Sequence, residues 1–143
     1  MKKWILITTA ILILGIIGAV LAYKFVYNKP HIDFEKATPD FILPAMEVYN
    51  SYKISRHEAS EKYTGKVLQV TGTLSKIETP DSLTIAVFAI EEGMFGDEGI
   101  RCSMLEGQAS KIQDLAGNEV TIKGFCTGFN DTDIIMEYCS LIE

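Results

Sequence analysis

Three cysteines in the second half of the chain are the residues with the most distinctive chemistry. Cys126 and Cys139 lie on either side of a turn near residues 131–133, at positions that would face each other across a hairpin. Facing cysteines tend to be bridged in an oxidising compartment, whereas in the cytosol they act as small core hydrophobes. We predict a Cys126–Cys139 disulfide, with a Cys102–Cys139 bridge or three buried thiols as the open alternatives. An odd count leaves at least one thiol free.

Two other patterns resemble metal sites without completing one. The stretch HEASE begins at His57 like a zinc-binding HExxH helix, but Glu61 stands where the second histidine is needed. The acidic residues between 91 and 98 and at 131–133 carry oxygen donors, yet their spacing does not match a calcium-binding EF-hand. The three cysteines also lack zinc-ligand spacing. With two histidines and no nucleophile elbow, we predict no metal, no cofactor, no catalytic residue and no enzyme.

An apolar run at the N-terminus is the first element that determines where these residues act. Residues 4–22 carry no charge, and as a helix they would extend roughly 28 Å, close to the bilayer hydrocarbon core of about 30 Å. Trp4 at one edge and Tyr23 at the other suit the membrane interfaces. We favour an uncleaved transmembrane anchor over residues 1–27. A signal peptide cleaved after Val20-Leu21-Ala22 is the alternative.

The charges that flank this run predict its orientation. Lys2 and Lys3 precede it, so the positive-inside bias places the N-terminus in the cytosol, although Lys24 and Lys29 follow closely. No cysteine lies near the end of the run, so lipid attachment is not available there. We therefore predict a single-pass protein of the inner (cytoplasmic) membrane, with its C-terminal domain outside the cytoplasm.

The soluble part is predicted to begin with helices. Residues 28–37 read as a polar linker and residues 38–143 as a folded domain. Thr38-Pro39-Asp40 has the residue types of a helix start, and apolar residues recur at helical spacing over 41–52. A second, mostly polar helix is predicted over 55–63. These two helices would cap the strands that follow.

From Gly65 onward apolar and polar residues alternate, which indicates strands. Five strands are predicted: KVLQVTGTLSKI, SLTIAVFAI, IRCSML, NEVTIKGFCTG and DIIMEYCSLI. An acidic, glycine-rich loop over 91–99 follows the second strand, and a short helix follows the third. This order is typical of a five-stranded OB barrel, and Gly72 and Gly124 fit bends or bulges at its corners. The predicted fold class is mainly β: an OB barrel preceded by helices and one transmembrane helix.

Two glycine-containing motifs lie in the predicted first and fourth strands. They are Tyr63-x-Gly65-Lys66 with Gly72, and Gly117-x-x-Val120-x-Ile122-x-Gly124-x-Cys126. In this order they resemble the tRNA_anti-like family, and the resemblance covers about residues 38–143. It implies an exported or lipid-anchored bacterial OB-fold protein, of a kind common in Bacteroidetes, with a helical lead-in. It implies no catalytic or ligand-binding residue, and this chain departs from it by having an apolar anchor in place of a lipidated cysteine.

The charge distribution argues against a nucleic-acid ligand. Four of the 13 basic residues precede residue 30 while all 19 acidic residues follow it, so the remainder carries a net charge near −10 that repels phosphate backbones. The loops that usually bind ligand in OB domains, here Ile77–Asp81 and Phe129–Asp133, are both acidic. Phe88, Phe125 and Phe129 could stack on bases, but aromatic residues in strands are more often part of the core.

We therefore predict a membrane-anchored, extracytoplasmic OB-fold binding module with no assigned ligand residues. Its predicted partners are the membrane, through residues 4–22, and an envelope protein or another envelope component. A single-stranded nucleic-acid-binding OB domain is the alternative, and it would need a basic groove. A haem- or metal-carrying OB domain would need a histidine after the barrel strands, whereas the last histidine is His57.

Overall fold

The computed structural model describes residues 1–27 and 33–143. By its internal contacts the chain divides into two units, Met1–Ile32 and Asp33–Glu143. The described part of the first unit is helical, and the second unit is a mainly β domain with three α-helices and two short 3-10 helices.

The first unit contains helix α1, Lys2–Ala22, which continues into a π-helical segment at Tyr23–Tyr27. None of the residues of this helix is buried. Among the described residues, one helical stretch, Lys2–Tyr27, is long and apolar enough to cross a membrane. Apolar side chains on every face are typical of a membrane span or a signal sequence, because a surface helix of a soluble domain keeps one polar face.

The second unit is built on one seven-stranded sheet. Its elements in chain order are β1 (Phe41–Pro44), α2 (Ala45–Ile54), α3 (Arg56–Tyr63), β2 (Val67–Thr73), β3 (Lys76–Glu78), β4 (Ile85–Gly93), β5 (Gly96–Met104), α4 (Ala109–Ile112), β6 (Glu119–Phe129) and β7 (Ile134–Ile142). The strands lie in the order β1-β2-β6-β7-β5-β4-β3. The β1–β2 and β5–β7 pairs are parallel, and the other neighbours are antiparallel.

The prediction of five strands is wrong, because the sheet has seven and its hydrogen-bonded order is open. The first predicted strand is divided at Leu74 and Ser75. Leu74 N–H still donates to Asn118 O at 2.9 Å, beside β6, whereas Ser75 N–H donates to Val87 O of β4 at 2.8 Å. The chain therefore changes partner strand between these two residues, and β2 and β3 become separate elements. The seventh strand, β1, forms where a helix was predicted.

The predicted helix start at Thr38-Pro39-Asp40 is also wrong. Asp40 N–H donates to Val67 O at 2.8 Å, and the Asp40 carboxylate accepts the Val67 N–H at 2.9 Å. These two bonds hold the chain extended beside β2, and α2 begins only after Pro44. The apolar stripe is confirmed from that point onward, with these residues buried: Ala45, Val48, Tyr49 and Tyr52.

The second helix and the strand alternation are confirmed. Helix α3 follows Ser55, whose side chain accepts the Glu58 N–H at 3.4 Å. Side chains from alternate strand positions and from the helices form one apolar core, in which the largest residues outside the helices are Leu68, Leu74, Phe88, Ile100, Ile122, Ile134 and Met136. This core supports the two ends of the sheet, where the loops lie.

Both strand glycines allow a close approach. A Cβ on Gly124 would clash with Cys139 Sγ, and the β6–β7 register shifts beside it, as a bulge requires. Gly72 lies in a regular ladder with no bulge. A Cβ there would lie 3.1 Å from Ala45 Cβ and 3.3 Å from Phe88 Cδ1, so glycine lets α2 pack close to the sheet.

The acidic loop predicted over 91–99 is instead the end of the β4–β5 hairpin. The strands pair as far as Gly93 and Gly96, and Met94 and Phe95 form the turn between them. Both turn residues are almost fully exposed, Met94 at 90% and Phe95 at 94%. Glycines on both sides permit the tight turn, because Gly96 takes a φ of 126° that favours glycine.

Residues 33–37 lie against the sheet, and we name them the strap. The Lys123 side chain, only 7% exposed on β6, donates through Nζ to Glu35 O at 2.8 Å and to Ala37 O at 2.9 Å. The strap is the second half of the predicted linker 28–37, and residues 28–32 lie outside the described part of the chain. A charge-assisted bond to two carbonyl groups therefore fixes the chain just before β1.

Candidate functional site

The two loops predicted to bind ligand are joined in the structure by Arg101 of β5. Its Nη1 donates to Glu78 Oε2 at 2.6 Å, and its Nε donates to Asp133 Oδ2 at 3.0 Å. Glu78 belongs to the first loop, Ile77–Asp81, and Asp133 ends the second loop, Phe129–Asp133. Residues more than 50 positions apart in sequence are therefore brought to one end of the sheet.

Asp133 is the buried centre of this arrangement, with 6% of its surface exposed. Its Oδ1 accepts the Gly99 N–H at 3.0 Å, and its Oδ2 accepts the Thr132 hydroxyl at 3.1 Å as well as Arg101. Its own N–H donates to Asn130 Oδ1 at 2.7 Å, which closes the turn before β7. A buried carboxylate needs this number of donors, because an unpaired one would be costly to desolvate.

A cavity of about 190 Å³ lies beside Arg101, and we name it the loop pocket. The residues that define its chemistry are Lys76, Phe95, Asp97, Glu98, Arg101 and Asp133. Lys76 Nζ lies 3.1 Å from Glu78 Oε1 and 3.1 Å from Asp97 Oδ2. Lys76 is thus shared between two carboxylates, and so is Arg101. The carboxylates at the pocket outnumber these two cations, so the pocket carries excess negative charge.

The pKa shifts of Glu78 and Lys76 favour their charged forms. Burial acts to raise the pKa of Glu78, but the Lys76 hydrogen bond and the Arg101 charge outweigh it and lower that pKa. Hydrogen bonds to Asp97 and Glu78 raise the pKa of Lys76. Neither cation is left free to bind a phosphate, because each already has full-strength anionic partners.

A second polar network connects the hairpin to helix α2. Tyr49 OH donates to a Glu98 oxygen at 3.0 Å and lies 3.2 Å from a Glu91 oxygen, while Lys53 Nζ donates to Glu98 at 3.2 Å. Burial, followed by the Glu98 hydrogen bond, raises the pKa of Tyr49 to about 12. The Tyr49 hydroxyl therefore stays protonated and acts as a donor. These contacts offset the like-charge pairing of Glu91 with Glu98 across the hairpin.

Most of the acidic residues considered for calcium are used in ion pairs. Asp131 pairs with Arg56, and Asp97 pairs with Lys76. His57 Nε2 lies 3.4 Å from Glu61 Oε1 on an exposed face of α3. In the parts of the chain that the structure describes, no three His, Cys, Asp or Glu side chains are grouped to hold a metal ion. The expectation of no metal stays a prediction.

The three aromatic residues considered for base stacking pack within the protein. Phe88 is 1% exposed and belongs to the core. The Phe125 ring lies 5.3 Å from the ring of Phe34, and the Phe129 ring lies 5.3 Å from that of Tyr52. These contacts confirm the core interpretation for Phe88 and assign packing roles to the other two.

Sequence reasoning missed three residues of the loop pocket: Lys76, Phe95 and Arg101. One signal was present for Phe95, since Met-Phe between two glycines is an unusual apolar pair at a hairpin tip. Arg101 is the single basic residue of the predicted third strand. Its ion pairs could not be predicted, because its partners lie 23 and 32 positions away.

The facing register assumed for Cys126 and Cys139 is wrong. Cys126 pairs with Met136 across β6 and β7, and Cys139 pairs with Met104 of β5. The bulge on β7 shifts the register between the two cysteines and places the Cys139 sulfur over Gly124. All three cysteines are buried and unbridged in the structure. The Cys126–Cys139 disulfide stays a prediction that thiol chemistry must test.

The thiols of Cys126 and Cys139 are not activated for chemistry. Burial raises the pKa of Cys126, and burial together with the adjoining Cys102 side chain raises that of Cys139 well above its ordinary value. The Cys126 sulfur lies 3.7 Å from Tyr52 OH inside the core. A reactive cysteine needs a thiolate and access to solvent. The raised pKa values of Cys126 and Cys139 disfavour the thiolate, and all three cysteines are buried.

Comparisons with known proteins identify relatives at the level of family and fold. The family model described as tRNA_anti-like matches residues 1–140. A Klebsiella pneumoniae protein, described as a "putative nucleic acid-binding lipoprotein", has a crystal structure that is similar at a TM-score of 0.56 with 15% identity, over 71% of this chain and 91% of that one. The yeast Stn1 and Ten1 structure gives a TM-score of 0.41 and 12% identity, over 77% of this chain and 65% of that one. No curated protein sequence matches.

Proposed function

Because this chain belongs to the tRNA_anti-like family, we propose that it is a membrane-anchored, extracytoplasmic OB-fold binding module without catalytic activity. Its proposed partner is an envelope protein or another envelope component. The apolar helix over Lys2–Tyr27 supports an anchor in the inner membrane, and Lys2 and Lys3 before it support a domain outside the cytoplasm. The solved neighbour is described as a lipoprotein, which agrees with membrane attachment.

The OB assignment rests on the course of the first strand. We propose that β2 and β3 are two halves of one bent OB strand, separated only by Leu74 and Ser75. β2 pairs with β6 at one side of the sheet and β3 pairs with β4 at the other. A curled sheet with this connection has the five-strand order of an OB barrel, to which β1 adds one strand.

The observation that carries the proposed function is the state of the loop pocket. In an OB domain that binds single strands, the corresponding loops present free cations and exposed aromatic residues. Here Lys76 and Arg101 are both shared between carboxylates, and the pocket carries excess negative charge. The exposed aromatic ring, Phe95, lies at its edge. This chemistry suits a protein surface or a cationic envelope component and repels a phosphate chain.

The second candidate is binding of single-stranded nucleic acid. It is favoured by the description of the solved neighbour as nucleic acid-binding. It is opposed by the net charge near −10 of the chain beyond residue 29, since nucleic-acid affinity depends on cations that displace counterions.

Fluorescence anisotropy with labelled oligo-dT and oligo-U separates the two candidates. The labelled oligonucleotides are titrated with the full chain in phospholipid nanodiscs, at about 50 mM and about 200 mM salt. We expect no saturable binding at either concentration. A double variant, Glu78→Gln with Asp97→Asn, frees Lys76 and serves as the control that detects a gain of binding. Tight binding by the unaltered chain that weakens steeply with salt would overturn the proposal.

Site-specific photo-crosslinking in cells tests the partner and the pocket together. A photoreactive residue replaces Phe95 beside the loop pocket, and in a control replaces Ile54, which is 86% exposed at the end of α2. We expect a discrete crosslinked species for position 95 and none for position 54.

A C-terminal alkaline phosphatase fusion, active only outside the cytoplasm, tests the orientation. An inactive fusion of full length would contradict it.

A further inference from the structure

A second concave surface lies apart from the loop pocket and shares no lining residue with it. It consists of two adjoining cavities of about 300 Å³ and about 350 Å³, which have Leu83, Met104 and Glu106 in common. We name their union the Leu83 groove. Its apolar lining residues include Leu83, Met104, Leu105 and Tyr138, of which Leu83 is 46% exposed. An apolar groove of this size is comparable to small ligand and peptide sites.

Unusual backbone conformations shape both walls of the groove. Asp81 and Ser82, next to Leu83, have φ values of 45° and 70°, and Tyr138 on the opposite wall has a φ of 53°. Residues other than glycine rarely take this left-handed conformation, and such strain is concentrated at functional surfaces. At Tyr138 it accompanies the β7 bulge, which turns Cys139 into the core and leaves Tyr138 48% exposed beside the groove.

The walls are held in place before any partner binds. The Tyr138 ring stacks on Phe34 of the strap, with centroids 4.7 Å apart and planes 10° apart. The Leu83 N–H donates to Pro80 O at 2.8 Å, and the Met104 N–H donates to Thr84 O at 2.8 Å. A surface that is already ordered loses little conformational entropy on binding.

The charges around the groove are of one sign. Three carboxylate residues line it, Asp81, Glu106 and Glu137, and all three are exposed. Among the residues that the structure describes, no lysine, arginine or histidine lines the groove. An apolar floor with a carboxylate rim is complementary to apolar side chains flanked by cations, and it repels anionic chains and acidic lipid headgroups.

We propose that the Leu83 groove docks a segment of a partner protein in which one or two large apolar side chains are flanked by lysine or arginine. This inference rests on the proposed function, since it names the chemistry of the protein partner. The apolar side chains pack between Leu83 and Tyr138. The flanking cations pair with Glu106 and Glu137, one on each side.

Titration of fluorescein-labelled peptides into the full chain in zwitterionic nanodiscs tests this inference, with empty nanodiscs as the blank. The probes are KKLFKK, its acidic counterpart EELFEE and its polar counterpart KKSSKK. We expect saturable binding of the first peptide only. The double variant Glu106→Lys with Glu137→Lys should weaken it at least tenfold. The matched control, Glu92→Lys with Glu119→Lys, makes the same charge change at exposed positions elsewhere and should change affinity less than twofold.

Leu83→Ser separates the apolar contribution from the electrostatic one, and we expect it to weaken KKLFKK several-fold without changing its salt dependence. Equal loss in the groove variant and the control variant would overturn the inference, because the binding would then be general charge attraction. Absence of binding would also overturn it, while a crosslinked partner at position 95 would leave the proposed function intact. Self-association of the chain that Leu83→Ser abolishes would assign the groove to a second copy instead.

Discussion

Lys123 and Arg101 are two poorly exposed cations on the same sheet, and each holds a separate stretch of chain. Lys123 fixes the strap through the carbonyl oxygens of Glu35 and Ala37. Arg101 joins the two loops through the carboxylates of Glu78 and Asp133. The first cation is 7% exposed, and the side chain of the second is 25% exposed.

The difference between their partners decides how each region responds to its surroundings. A carbonyl oxygen neither gains a proton in mild acid nor carries a full charge, so the Lys123 contact keeps its acceptors in acid and is weakly sensitive to salt. A carboxylate does both, so the Arg101 network weakens in acid and in salt. The strap is therefore a fixed structural contact, whereas the loop pocket has an electrostatic strength that a charged partner can alter.

The largest expected effect is from Lys123→Met. It removes the donor for two carbonyl groups and detaches the strap, and we expect a loss of about 3 kcal/mol in the free energy of unfolding. Urea unfolding of the full chain in non-ionic detergent measures it. Trypsin provides a local readout, because Lys36 lies in the strap with its side chain 86% exposed, and cleavage there should become faster.

Lys66→Met is the matched control for this change, since Lys66 is exposed just before β2. It should alter the unfolding free energy by less than about 0.5 kcal/mol and leave cleavage at Lys36 unchanged. If the two lysine variants were equally stable, the strap contact would contribute nothing, and Lys123 would not differ from a surface lysine.

The next largest effect is expected from Arg101→Gln, at about 2 kcal/mol, because it leaves the buried Asp133 carboxylate without its cation. Partial exposure of Arg101 keeps this below the cost for a fully buried pair. A double-mutant cycle with Asp133→Asn isolates the pair. Its coupling free energy should shrink at about 1 M salt, and the Lys123→Met effect should not.

Equal salt sensitivity of the two variants would remove the distinction between the regions. Photo-crosslinking at position 95 provides a second test of the comparison. Arg101→Gln should reduce it, because the loop Phe129–Asp133 is then no longer tied to Glu78. Lys123→Met should leave crosslinking there unchanged, provided the measurement is made below its unfolding midpoint.

The sequence predicted those parts of the fold that depend on local periodicity. Alternating apolar residues located the strands, and the helical stripe from Ala45 to Tyr52 was correct. The predicted start of that helix was wrong, because Asp40 bonds to Val67, 27 positions away. This long-range hydrogen bond outweighs the local capping pattern. The same limit applies to the site. The two acidic loops were identified, but their union through Arg101 depends on pairing between β5 and β7.

The smallest expected effect is the part of the stability loss in acid that Glu78 contributes beside the loop pocket. The pKa of Glu78 is lowered in the folded state, so its contribution is complete above the ordinary value of 4.5 and is lost as the pH falls through the lower folded pKa. Because the Glu78 side chain is 35% exposed, solvent screening keeps this contribution below about 1 kcal/mol. Urea midpoints between about pH 6 and about pH 3 should show the loss in Lys123→Met as in the unaltered chain, and a smaller loss in Glu78→Gln. An acid loss that disappeared in Lys123→Met would assign the titrating contact to the strap and reverse the roles of the two cations.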